Sequence, residues 1–157
     1  MVSVLLFICG IGFIIAAERT RRTAAPAAAT EALTAAAPEA TVRQLMTGMI
    51  EPAAERIWES VSVTVTAAGT EEKQPRTDEE WAQLATSAAL LVESSNLLLQ
   101  GDRLVDREDW PRITQAMADA SRQTIAAATA KNPDEILKVG ETIYHACTEC
   151  HAKYLRN

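Results

Sequence analysis

Apolar residues return at every third or fourth position in four separated blocks of this chain, the spacing of helices that each turn one stripe inward. The first block runs from about Thr41 to Val65, with Val42, Met46, Met49, Ala53, Ile57 and Val61 on one face. The second opens on Thr77-Asp78-Glu79-Glu80, where a threonine and a glutamate three residues on can satisfy each other's backbone N–H groups. It continues with Trp81, Leu84, Ala88, Leu91, Ser95 and Leu98 until Gly101 ends it. The third begins between Asp106 and Pro111 and carries Trp110, Ile113, Met117, Ala120, Thr124 and Ala127. The fourth starts on Asn132-Pro133-Asp134-Glu135, a capping side chain followed by a proline at the first helical position. Its stripe is Ile136, Gly140, Ile143, Cys147, Cys150 or His151, and Tyr154.

Four amphipathic helices with mostly short connections predict an all-α fold, an antiparallel up-down-up-down four-helix bundle. The longer first connection, Thr66 to Arg76, contains Gly69 and Pro75 and reads as solvated loop. No alternating strand pattern of any length is expected. Trp58, Trp81 and Trp110 are expected to anchor the core. Gly140 lies on the buried stripe two turns before Cys147, so its missing side chain leaves room for a bound group or for a neighbouring helix.

Upstream of the bundle the pattern changes. Residues 2–17 are uncharged and apolar, so 1–17 reads as a signal sequence or an N-terminal membrane anchor. No Lys or Arg precedes this run, whereas Arg19, Arg21 and Arg22 come after it, a bias that by the positive-inside rule would hold the rest of the chain in the cytoplasm. The true start is therefore expected upstream, or the signal is atypical. Residues 18–40 are mainly Ala, Thr, Pro and Glu, too poor in large apolar side chains to form a core, and read as a disordered linker. The bundle is assigned to 41–157. A formal charge of −6 without a basic stripe excludes a nucleic-acid partner.

The chemistry lies in Cys147-Thr148-Glu149-Cys150-His151. C-x-x-C-H is the attachment signature of a c-type haem: the two thiols each add to a vinyl group, and the histidine beside the second is left to ligate the iron. A zinc site would need further Cys or His ligands, and outside the motif the chain offers only His145 and Cys9. A thioredoxin-like pair would need a βαβ context, and a Cys147–Cys150 disulfide on a helix is strained. On one helix, Cys147, Cys150 and His151 are expected to project from a single face toward the interior. The cofactor expected is haem c, one per chain, covalently attached, with His151 as proximal iron ligand. His145 lies off that face and reads as a surface residue. Tyr144 and Tyr154 are expected to flank the haem or to pack the stripe, and Lys153 and Arg156 to give either a positive rim at the haem edge or merely solvated charges. No nucleophile, base and orienting acid stand together, so the chain is not read as an enzyme.

A signal-like N-terminus, a four-helix bundle and C-x-x-C-H-x-x-Tyr in the last helix resemble the class II cytochromes c, the group of cytochrome c-prime and its low-spin relatives. The resemblance covers 41–157, and its specific part is the C-terminal position of the motif. It implies a sixth-ligand position near the start of the first helix, where this chain has Arg43-Gln44-Leu45-Met46-Thr47-Gly48-Met49. The ligand implied is Met46, with Met49 as the alternative. Arg43 is then either a partner of a haem propionate or a solvated helix-start residue, and it stands three residues before Met46 where the family often has four. The function implied is single-electron transfer with redox partner proteins in the periplasm, soluble or tethered through residues 2–17. A five-coordinate haem binding nitric oxide or carbon monoxide is the alternative, and a tethered haem sensor or assembly subunit a third. Related proteins often pair through their first two helices, which leaves a homodimer open.

Overall fold

The computed structural model describes residues 39–155. The signal or anchor expected at 1–17, most of the linker expected at 18–40, and Arg156 lie outside the described residues. Within them the chain is mostly helical, with four helices and a small two-stranded sheet. No helix of the described residues is long and apolar enough to cross a membrane.

Helix α1 covers residues 42–58 and is not uniform: Val42–Leu45 and Glu51–Trp58 are α-helical, whereas Met46–Ile50 between them is a π-helical turn. Thr41 caps its start in a capping box with Gln44. Pro52 explains the turn. In an α-helix its ring would collide with the carbonyl of Gly48, and it has no N–H to offer that carbonyl. Widening the turn, with the Glu51 N–H bonding back to the Met46 carbonyl, removes the conflict.

The helix expected to continue to Val65 stops at Trp58, and the expected solvated loop is a β-hairpin. Strand β1, Ser62–Thr66, pairs antiparallel with β2, Gly69–Lys73, in a register that sets Val63 opposite Glu72 and Val65 opposite Thr70. Ser-Val-Thr-Val-Thr is an alternating β-branched run, which favours extended backbone over helix. Its valines point to no core: Val63 and Val65 are exposed. Gly69, at φ 137°, allows the tight reversal.

Helix α2, Asp78–Leu98, begins with the expected Thr77/Glu80 capping box. A short 3₁₀ turn, Gly101–Arg103, comes next, with Gly101 at φ 60°. Helix α3 is Asp109–Thr129 and α4 is Pro133–Tyr154, the latter capped by the Asn132 side chain accepting from the Glu135 N–H at 3.1 Å.

The inward stripes meet in one cluster. Leu45, Ile50, Ile57, Leu84, Leu91, Leu98, Trp110, Ile136 and Ile143 are all buried in it. Several core positions are small or hydroxylated: Ser94, Ser95, Ser121 and Thr124 are fully buried, each donating to the carbonyl four residues earlier in its own helix. This lets α2 and α3 approach closely without leaving a hydroxyl unsatisfied. Trp81 and Trp110 are core anchors as expected, but Trp58 is not; it is 37% exposed at the edge between α1 and α4. There its indole N–H donates to the Gly140 carbonyl at 2.9 Å, and its ring fills the space beside that glycine.

Candidate functional site

The motif lies in the last turns of α4. Cys147 and Cys150 are free thiols, partly buried, and both pack on the core cluster. Burial pushes the Cys147 thiol up to about 11, and burial with the nearby Glu149 charge raises that of Cys150. His151 differs from expectation. The helix turns it outward, so it is exposed while the two cysteines lie against apolar side chains. The reason is angular: at 100° per residue, Ile143 and Cys150 lie near the centre of the buried stripe and His151 falls past its edge.

The end of α4 is clamped to the start of α3. The Tyr154 hydroxyl donates to Asp106 Oδ2, while Asp106 Oδ1 accepts from the backbone N–H groups of Glu108 (2.9 Å) and Trp110 (3.0 Å). With three donors on one carboxylate, led by the Tyr154 hydroxyl, Asp106 is held down at about 2. The Tyr154 ring meets Trp110 edge-on at 5.0 Å, and the Trp110 indole N–H donates to the Leu98 carbonyl at 2.9 Å. Charges close the rim: Arg112 bridges Asp109 (3.0 Å) and Glu149 (2.6 Å), and Lys153 pairs with Asp109. Lys153 is thus matched by a carboxylate rather than presented as a free positive rim. Glu149, between the two cysteines, is fixed to the neighbouring helix.

Met46 and Met49 are both partly buried and pack on the same core cluster as the cysteines, with Leu45 and Ile50 fully buried beside them. Both lie in the π-helical turn. Arg43 is exposed and makes no ion pair among the described residues; its carbonyl accepts from Thr47 Oγ1 at 3.1 Å. His145 is on the surface, 3.8 Å from Glu141. Tyr144 is 55% exposed, edge-on to Trp58 at 6.1 Å. Gly140 admits the Trp58 indole, the neighbouring-helix alternative. Beside it is a cleft of about 190 Å³ lined by Ile57, Trp58, Val61, Leu137 and Tyr144, among others.

Three features fall outside the expectations drawn from apolar spacing and capping. The π-helical turn could have been suspected from Gly48 and Pro52 at a spacing of four. The Asp106–Tyr154 bond joins residues 48 positions apart, and no local rule finds it. Arg103 is 6% exposed, and its Nε has no hydrogen-bond partner. An arginine at a helix end normally reads as solvated.

The residues are of the kinds that could hold a covalently attached haem: two free thiols three residues apart on one helix, an exposed imidazole beside the second, and two thioethers packed on the same apolar cluster. Comparison with protein-family models, curated proteins and solved structures gave no match.

Proposed function

We propose that this protein is a c-type haem protein of the class II cytochrome c kind, an antiparallel up-down-up-down four-helix bundle that carries single electrons. The bundle reading is supported by contacts between opposite helix ends. The start of α1 meets the end of α2 (Ala40 with Arg103), the start of α2 meets the end of α3 (Asp78 with Lys131), and the start of α3 meets the end of α4 (Asp106 with Tyr154). The observation that carries the haem reading is the C-x-x-C-H run on a helix, with both thiols free and seated on apolar core.

Bound there, the haem iron supplies a one-electron couple. Cys147 and Cys150 would hold the group, and His151, one turn after Cys147, would ligate it. Met46 would supply a thioether to the iron, which would raise the reduction potential. The Asp106–Tyr154 bond, the Arg112–Glu149 pair and the Lys153–Asp109 pair hold the motif's backbone still, so little reorganisation accompanies a change of charge. The working place proposed is the outer face of the bacterial cytoplasmic membrane, with a redox protein as partner.

One observation favours the alternative, a five-coordinate site for nitric oxide or carbon monoxide. Both methionines already pack against the core, as spectators do. The test is expression of the full chain together with a haem-attachment system. Mass spectrometry is expected to find one haem per chain, lost in Cys147→Ser/Cys150→Ser. The ferric protein is expected to show the weak far-red band of thioether-ligated haem, lost in Met46→Ala and kept in Met49→Ala. A high-spin spectrum with ready carbon monoxide binding in the wild type assigns the gas-binding role instead, and absence of covalent haem overturns both readings.

A further inference from the structure

Arg103 is the one charged residue buried among the described residues, 6% exposed in the 3₁₀ turn after α2. A guanidinium carries five N–H donors and stays charged. Among the described residues it makes a single side-chain hydrogen bond, Nη1 to the Ala40 carbonyl at 3.2 Å, and Nε, itself shielded from water, has no partner. No carboxylate pairs with it among the described residues. An uncompensated buried cation is among the costliest things a core can hold, so this one calls for an anionic partner.

Its surroundings identify that partner. Arg103 is three residues from Asp106, a separation of at most about 11 Å along the chain, and Asp106 holds Tyr154, three residues beyond His151. On its other side Arg103 holds Ala40, next to the cap of α1, the helix of Met46 and Met49. The guanidinium therefore sits at the junction of the two segments that the haem reading assigns to the iron's two sides. Resting on that reading, we infer that Arg103 is the buried counter-cation for a haem propionate, a planar carboxylate that its fork can bind through two donors. Arg43, the other candidate for a propionate, is exposed and lacks the burial that sets Arg103 apart. Arg103 also transmits the propionate's position to the start of α1, which makes it a positioning residue for the sixth ligand.

The test is potentiometric titration of the haem-loaded full chain and of Arg103→Met and Arg103→Lys. A fixed positive charge beside the macrocycle favours the reduced iron. Arg103→Met is thus expected to lower the ratio of reduced to oxidised protein at fixed potential about tenfold, which is about 59 mV for one electron, and Arg103→Lys to recover most of it. An unchanged potential in Arg103→Met, even with lowered stability, overturns the pairing and leaves the haem reading intact. If the wild-type potential instead depends on inorganic phosphate at constant ionic strength and Arg103→Met abolishes that dependence, the partner is an exchangeable anion and the propionate is overturned. Should Arg103→Met fail to fold, the same titration of Arg103→Gln decides: a lowered potential supports the pairing, and an unchanged one refutes it. Absence of covalent haem defeats the haem reading itself, a result separable from all of these.

Discussion

Replacing Gly140 by alanine should stabilise this protein, although the glycine is buried at a helix crossing. A Cβ built at position 140 would stand 3.4 Å from Trp58 Cδ1 and 3.9 Å from Trp58 Nε1, ordinary van der Waals contact with the edge of the indole. No backbone clash opposes it, and residue 140 lies inside α4 with no positive φ. Glycine in a helix interior costs about 1 kcal/mol relative to alanine. Burial of one methyl adds a further fraction of about 0.8 kcal/mol. The expected gain is about 1 kcal/mol, or about 3–5 °C in Tm for a domain of this size. Gly140→Val puts branched atoms where the indole now lies, displaces Trp58 and breaks the bond from its Nε1 to the residue-140 carbonyl. That loses about 1 kcal/mol for the hydrogen bond and about 1–3 kcal/mol for overpacking. Urea unfolding monitored by far-ultraviolet circular dichroism, on chain without and with haem, measures both variants. A loss of about 1 kcal/mol or more in Gly140→Ala, as large as the propensity gain it should bring, would refute the reasoning, because the close approach of Trp58 would then require a bare Cα. A changed haem spectrum in Gly140→Ala with unaltered stability of the haem-free chain would show that the space serves the macrocycle and not the indole.

The same contacts make further outcomes testable. Pro52→Ala removes the reason for the π-helical turn, so the segment around Met46 and Met49 should revert toward α-helix; backbone chemical shifts would register this, and an unchanged π turn would shift its cause elsewhere. Tyr154→Phe removes the leading cause of the depressed Asp106 carboxyl, whose value should climb from about 2 toward the ordinary 3.8, as read from carboxyl carbon shifts. Because the folded value is the lower one, the Asp106 contribution to stability is complete above about pH 4 and is lost as pH falls toward about 2; Asp106→Asn should therefore be less stable at neutral pH, with the difference from wild type disappearing near pH 2. In haem-free chain the Cys147 thiol, raised by burial to about 11, should react with iodoacetamide in mildly alkaline buffer far more slowly than in urea. Equal rates would mean that the end of α4 is open in solution.

Apolar periodicity and capping chemistry sufficed for the helices because both are local. Thr77 with Glu80, and Asn132 with Glu135, satisfy orphan N–H groups within one turn, and each reads directly from residue identity and spacing. The same locality failed in the first block. Ile57, Trp58 and Val61 continue a helical spacing, but Ser62-Val63-Thr64-Val65-Thr66 also alternates, and a run with four β-branched residues backed by Gly69 became a hairpin. The π turn failed for a related reason: periodicity counts faces and takes no account of the carbonyl that Pro52 would strike.

What the sequence by itself determined is the set of reactive groups, two thiols and an imidazole at the spacing of C-x-x-C-H, and the four stripes that bury their helices. Tertiary structure alone decided how those groups are held. Asp106 meets Tyr154 across 48 residues, Trp58 meets Gly140 across 82, and Arg103 meets Ala40 across 63. It also turned His151 outward past the edge of the buried stripe and buried Arg103 without a counter-charge among the described residues. Burial and charge balance depend on which helices meet, and no single segment of chain carries that information.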